Sequence, residues 1–221
     1  MMTINNINSF IDHTQLKPEA TPGQIEKLCQ EAIDYKFKAV CVNPVHVNLA
    51  ANLLKDSEVE IASVVGFPLG ASATDVKEYE AKKAVEHGAS EIDMVINIGL
   101  LKNEQDMEVI EDISSVVNTV PVGIVVKVII ETCLLSDEEK IKACELAKRA
   151  GAHYVKTSTG FSSSGATVED VKIMKKTVGE KLGVKASGGI RDLETAQKMI
   201  EAGATRIGAS KSVEIVKSQS N

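Results

Sequence analysis

Three lysines and one aspartate stand inside runs of apolar residues. Lys127 lies in Val125-Val126-Lys127-Val128, Lys156 in Tyr154-Val155-Lys156-Thr157, Lys185 in Gly183-Val184-Lys185-Ala186, and Asp93 in Ile92-Asp93-Met94-Val95. Burial penalises a charged amine, and neighbouring lysines disfavour one another's protonation, so both effects ease loss of the proton. A neutral amine attacks carbonyls and forms a Schiff base. One lysine would then be the nucleophile and a second its electrostatic tuner, with a carboxylate moving protons through water. The residues by themselves do not say which lysine is which. A lone strand lysine can instead extend its head group to water, and a purely structural ion-pair cluster is the other alternative. Burying so many charges is expensive unless they pair or change protonation state, which favours a functional cluster.

The elements that must hold these residues alternate regularly. Short Val- and Ile-rich runs at 10–12, 39–42, 61–66, 92–96, 124–130, 154–157, 184–187 and 206–208 read as buried parallel strands. Helical stretches lie between them. Thr21-Pro22 and Asn43-Pro44 read as caps followed by proline at the first helical position. Another helix starts at Thr74-Asp75 and ends at His87-Gly88, and the next is expected over 104–117. Ser136 to Glu139 forms a capping box. Stretches 167–178 and 192–202 are closed by Gly179 and Gly203, and a short helix follows Ser210. Glu-His-Gly-Ala (86–89), Arg-Ala-Gly-Ala (149–152) and Glu-Ala-Gly-Ala (201–204) repeat one helix-to-strand turn. Eight strand–helix units in a chain of 221 residues point to an α/β fold, a single (β/α)8 TIM barrel spanning 1–221. The rival is an open doubly wound sheet, disfavoured because no Gly-x-Gly-x-x-Gly follows the first strand and no Gly-x-x-x-x-Gly-Lys-Ser/Thr occurs. In a barrel the four charged residues, placed late in their strands, would reach the mouth, where barrel enzymes build their sites.

Three Gly/Ser-rich turns follow the last three strands: Ser158-Thr159-Gly160, Ser187-Gly188-Gly189 and Gly208-Ala209-Ser210. Glycine lets the backbone approach an anion, and helix N-termini beyond would add free N–H groups. Each turn alone is ordinary; three beside the lysines point to a phosphorylated substrate.

Composition excludes other classes. Hydrophobic residues are 43%, too many for a disordered chain. The apolar stretch around 123–130 is short and carries Lys127, so no membrane span is expected. A net charge of −6 and 3% aromatics disfavour nucleic-acid binding. His13, His46, His87 and His153 lack ligand spacing, so no metal site is expected. His87 and His153 read as structural, and Asp12-His13 as a possible wall of the mouth. Cys29, Cys41, Cys133 and Cys144 form no CxxC and read as reduced thiols; Cys41 is a small buried residue that could face the substrate. The polar start, residues 1–10, has no signal-peptide pattern, and a cytoplasmic protein is expected.

These residues fall in a set of motifs that resembles the deoxyribose-phosphate aldolases, a class I (Schiff-base) aldolase family. The motifs are Ile-Asp-His-Thr (11–14), Val-Cys-Val-Asn-Pro (40–44), Val-Gly-Phe-Pro-Leu-Gly (65–70), Glu-Ile-Asp-Met-Val-Ile-Asn (91–97) and Val-Lys-Val-Ile-Ile-Glu-Thr (126–132). Val-Lys-Thr-Ser-Thr-Gly (155–160), Val-Lys-Ala-Ser-Gly-Gly-Ile-Arg (184–191) and Arg-Ile-Gly-Ala-Ser (206–210) complete them. The resemblance covers nearly the whole chain and implies reversible cleavage of 2-deoxy-D-ribose 5-phosphate to D-glyceraldehyde 3-phosphate and acetaldehyde, in deoxyribose phosphate catabolism. It implies Lys156 as the Schiff-base lysine, Lys185 as the lysine that eases its deprotonation and assists proton transfer, and Asp93 as proton donor and acceptor. Asp12 and Lys127 match further polar positions, and Gly160, Gly188, Gly189 and Ser210 match a phosphate cradle. Cys41, Thr157 and Gly208 join them as substrate-contacting candidates. The chain departs from some members in having Phe161 after Gly160 where they carry lysine; Lys211 is a candidate for the missing charge. No organic cofactor or metal is implied, and a homo-oligomer, with a dimer favoured, is. Another Schiff-base sugar-phosphate aldolase, and a non-catalytic sugar-phosphate-binding barrel, are the alternatives.

Overall fold

The computed structural model describes residues 6–219. Eight parallel strands close into one barrel in sequence order, β1 pairing with β8. They are β1 (Ile11–Gln15), β2 (Ala39–Val42), β3 (Glu60–Val65), β4 (Glu91–Val95), β5 (Val125–Ile129), β6 (Tyr154–Lys156), β7 (Gly183–Ser187) and β8 (Arg206–Ala209). The helices are α1 (Pro22–Asp34), α2 (Val47–Leu54), α3 (Thr74–Glu86), α4 (Ile98–Lys102), α5 (Asp106–Thr119), α6 (Asp137–Arg149), α7 (Val168–Val178), α8 (Leu193–Glu201) and α9 (Ser212–Lys217).

The strands' two faces do different jobs. Val40, Val42, Ile92, Met94, Val126, Val128, Val155, Val184 and Ile207 join the large apolar core beneath the helices. Their neighbours at odd spacing turn inward, because successive strand side chains alternate. On β2 and β3 the inward residues are Cys41, Ala62 and Val64, which pack with Leu16 as a small separate apolar cluster. On β1 and β4–β8 they include the charged side chains. The barrel interior is therefore half apolar and half ionic.

The capping signals act where expected. Ser136 and Glu139 make a reciprocal capping box on α6, and Thr167 and Asp192 cap α7 and α8 through their side chains. Gly88, Gly151, Gly179 and Gly203 all have positive φ at helix ends.

Several boundaries differ from the sequence expectations. Residues Ile7–Phe10 form a 3-10 turn, and β1 runs on to Gln15, because Thr14 and Gln15 are polar for lining the mouth. Asn43 does stand at the N-cap position with Pro44 first, but of the 3-10 turn Pro44–His46 before α2, and its side chain makes no cap bond; its amide donates to the Leu16 carbonyl at 3.0 Å instead. The stretch expected over 104–117 is α5, which starts at Asp106 after Glu104 adopts φ 56°, and the short α4 precedes it without having been expected. Residues 1–5 of the polar start lie outside the described residues.

A second buried ion pair lies in the helical layer. Lys77 of α3 donates to Asp112 of α5 at 2.6 Å and to the Val95 carbonyl at 3.1 Å. It thereby ties α3 and α5 to the end of β4.

Candidate active site

Lys127, Lys185 and Asp93 are central in their strands, not late in them as expected; Lys156 alone ends its strand. That difference of about one residue pair along the barrel axis leaves Lys156 alone of the three lysines beside the cavity. Lys127, Lys185 and Asp93 are fully buried. Lys156, 3% exposed in its side chain, borders a cavity of about 420 Å³ at the C-terminal end of the barrel.

Asp93 gathers the amines. Its Oδ1 accepts from Lys127 at 2.7 Å, and its Oδ2 accepts from Lys156 at 2.8 Å and from Lys185 at 2.6 Å. Burial works to raise this carboxyl, but Lys127, Lys156 and Lys185 together outweigh it and hold Asp93 well below the usual carboxylate range. Asp93 is thus a carboxylate. Burial also opposes a charge on Lys185, yet Asp12 and Asp93 raise it above an ordinary lysine; Lys127 is raised by Asp93 and Glu91 against the same penalty. The sequence expectation of mutually deprotonating lysines is corrected for these two. Carboxylates interleaved between them keep both as cations.

Asp12 faces inward but lies below the cavity. It accepts from Arg206 Nε at 2.7 Å and pairs with Lys185 at 2.5 Å. Burial raises its carboxyl, while Lys185 and Arg206 bring it down to about 2. The next residue, His13, turns the other way: its ring bonds Glu31 at 2.8 Å and Ser212 at 3.0 Å outside the barrel. It does not wall the mouth.

The cavity's far side holds the three glycine turns. Gly160, Gly188, Gly189, Gly208 and Ser210 all border it. Gly188 and Gly189 have φ of 83° and 78°, a backbone region L side chains rarely adopt, so this turn requires glycine twice. Gly208 is required for space instead. A Cβ there would lie 2.9 Å from Ser187 Cβ and 3.2 Å from Lys185 Cε. The Ser158–Gly160 turn does not lead straight into a helix, since α7 begins at Val168.

Other candidates sit off the cavity. Thr157 is buried and bridges strands, its hydroxyl donating to the Ser187 carbonyl at 3.1 Å and accepting from the Ser187 N–H at 3.0 Å. Cys41 lies within the inner apolar cluster, its Sγ 3.9 Å from Asp93 Oδ2; burial pushes its thiol up. Lys127 touches Asp93 and Glu91 only through ion pairs beneath the site. Lys211 pairs with Glu214 at 2.9 Å and does not border the cavity, so it does not replace the charge lacking at Phe161.

Sequence reasoning passed over five residues. Lys17 and Arg191 border the cavity and supply the positive charge that Lys211 does not. Arg191 ends the Ser-Gly-Gly-Ile-Arg segment, and that position was the available signal. Glu91 and Arg206 are buried ionic residues at the starts of β4 and β8; their place in strands was the same signal that marked the lysines. Glu131 is buried with φ 55° and accepts from the Thr159 hydroxyl at 2.5 Å and the Thr159 N–H at 3.2 Å. The Thr159 hydroxyl in turn accepts from the Phe161 N–H at 3.0 Å, so Glu131 fixes the turn beside Lys156. No sequence pattern signalled it.

Among the described residues no three His, Cys, Asp or Glu side chains are grouped to hold a metal ion, and no helix is long and apolar enough to cross a membrane.

Comparison with known proteins gives a consistent result. Residues 8–215 match the model of the DeoC/LacD family aldolases. The deoxyribose-phosphate aldolase of Carboxydothermus hydrogenoformans is 62% identical over 219 residues, 98% of this chain and 96% of the relative. That of Clostridium tetani is 60% identical over 210 residues, 95% and 97% of the two chains. The solved tetrameric deoxyribose phosphate aldolase from Aeropyrum pernix superposes with a TM-score of 0.91 at 36% identity, covering 97% of this chain and 91% of that one.

Proposed function

The chain belongs to the DeoC/LacD family of aldolases, and from that premise we propose that it uses Lys156 as a Schiff-base nucleophile to cleave 2-deoxy-D-ribose 5-phosphate. It is a carbon–carbon lyase acting on a small phosphorylated sugar. The observation that carries the residue assignment is positional. Of the three strand lysines gathered on Asp93, Lys156 alone borders the cavity.

The chemistry follows from this placement. The neutral Lys156 Nζ adds to C1 of the open-chain sugar, and loss of water gives an iminium ion. Removal of the C3 hydroxyl proton then breaks the C2–C3 bond. C3 departs as the aldehyde of glyceraldehyde 3-phosphate, and the bonding pair moves to C2 as an enamine, the iminium nitrogen taking up the charge. C2 gains a proton, and water releases acetaldehyde and the free amine. Asp93, held as a carboxylate, is the proton acceptor, and Lys185, held as an ammonium, is the donor; both are buried, so a water relays protons to substrate. The phosphate would sit against Gly160, Gly188, Gly189, Gly208 and Ser210, with Arg191 and Lys17 as its cations. Asp12, Lys127, Cys41 and Thr157 shape the site from beneath.

Incubation with acetaldehyde and borohydride tests the nucleophile. An ethylated Lys156, lost in Lys156→Ala, is expected; an adduct confined to another lysine overturns the assignment. We further propose a single-domain, cytoplasmic homo-oligomer, with the dimer to be read by light scattering.

A further inference from the structure

The buried charges around the barrel form a closed figure. Arg206 pairs with Asp12 at 2.5 Å, Asp12 with Lys185 at 2.5 Å, and Lys185 with Asp93 at 2.6 Å. Asp93 pairs with Lys127 at 2.7 Å, and Lys127 with Glu91 at 2.5 Å. Glu91 returns to Arg206 through two bonds, of 3.0 and 2.9 Å. Signs alternate the whole way round, three cations against three carboxylates. The ring is neutral, and every side chain in it is at most 5% exposed. Lys156 stands outside it. Among the described ion pairs its single carboxylate contact is Asp93 Oδ2, an oxygen that Lys185 also holds.

We propose that Glu91 and Arg206 are positioning residues for the reaction: by closing this ring they occupy Asp12 and tie the charge of Asp93 to Lys127 and Lys185. Of the four buried cations gathered on these carboxylates, the Lys156 ammonium is then the one without a carboxylate of its own. It gives up its proton to solvent through the cavity and becomes the nucleophile. The inference rests on the assignment of Lys156 as the imine-forming residue. It differs from a simple lysine–lysine repulsion, because the repelling cations are themselves neutralised; what matters is that the count of carboxylates stops at three.

The other groups facing Lys156 do not upset this balance. From β2 comes Cys41, whose thiol burial keeps uncharged. From β3 come Ala62 and Val64, with no ionisable group. At the mouth stand Lys17 and Arg191, two further cations, while Glu131 is off the cavity, bonded to Thr159.

The test is the pH dependence of imine trapping with acetaldehyde and cyanoborohydride, with the adduct located by peptide mass spectrometry. In the unaltered protein the trapping rate rises with pH as the amine loses its proton. Glu91→Gln leaves the ring one charge positive, and the rise should move to lower pH by about one unit. Arg206→Met leaves it one charge negative, and the rise should move to higher pH by a similar amount. Arg206→Lys, and the double variant Glu91→Gln with Arg206→Met, should both restore the original profile. A merely structural role slows trapping in both single variants and moves neither profile. Profiles that stay fixed, or move the same way, overturn the proposal. Should Arg206→Met not fold, the sign of the Glu91→Gln shift decides alone. An adduct on a residue other than Lys156 in the unaltered protein refutes the nucleophile assignment instead, a distinct outcome.

Discussion

Gly208→Ala asks how tightly the barrel interior holds Lys185. Gly208 has an ordinary backbone conformation, so alanine introduces no φ strain there; its whole effect is the added methyl. That methyl would lie 2.9 Å from Ser187 Cβ and 3.2 Å from Lys185 Cε. Carbon atoms rest at about 3.5 Å or more, so the first contact must open by roughly 0.6 Å and the second by roughly 0.3 Å. Neither neighbour yields freely. The Ser187 hydroxyl is tied to the Ser158 carbonyl at 2.7 Å, and Lys185 is held between two carboxylates at 2.5 and 2.6 Å. Overpacking of this sort costs about 1–3 kcal/mol, which for a chain of this size lowers Tm by roughly 2–12 °C. A shift of roughly 0.3 Å at the proposed proton donor should lower kcat about fourfold, given that a full ångström costs about 100-fold. KM should change less, because the added methyl presses on Ser187 and Lys185 and leaves Gly160, Gly188, Gly189 and Ser210 on the cavity wall as they are. Steady-state cleavage assays and thermal unfolding by circular dichroism measure both effects. A variant with kcat within twofold and an unchanged Tm would refute the claim that Gly208 exists to make room for Lys185.

Asp12 supplies a pH signature. Its carboxyl is lowered from 3.8 to about 2, so the stability it contributes is present above about pH 4 and lost as pH falls through 2. The shift corresponds to about 2 kcal/mol, and Asp12→Asn should flatten the urea-unfolding profile in that window; an unchanged slope refutes it. Glu131→Gln keeps one acceptor for two donors on Thr159, loosening the turn before Phe161. KM for the sugar phosphate should rise roughly tenfold, while KM for unphosphorylated deoxyribose stays put; equal changes for both substrates would contradict a role through the phosphate turn.

How much of this was legible beforehand depends on the kind of signal. The barrel was legible because five of the seven helix-to-strand turns carry a glycine and the strands recur as short Val/Ile-containing runs; local chemistry repeats along the chain and the closure follows. The lysines were legible because a charge among β-branched residues contradicts its surroundings, and such a contradiction shows in one dimension. The same contradiction marked Glu91 and Arg206 less strongly, since each opens its strand next to polar residues, Ser90 and Thr205. Depth along the barrel axis was not legible at all. Whether a lysine in a strand meets substrate or lies one layer below depends on shear between neighbouring strands: Lys156 pairs in register with Lys185 and Ile129, yet β6 ends there while β7 continues to Ser187. The protonation states were illegible for the same reason. Counting lysines predicted amines that repel one another's protons, whereas the interior alternates them with Asp12, Glu91 and Asp93. Which amine is left unmatched is a property of the closed ring, and a ring exists only after strands far apart in sequence, β1 and β8 among them, have come together. On the proposed assignment, the nucleophile is selected by what the fold withholds from Lys156, a carboxylate of its own, more than by anything in the Val-Lys-Thr-Ser-Thr-Gly motif that carries it.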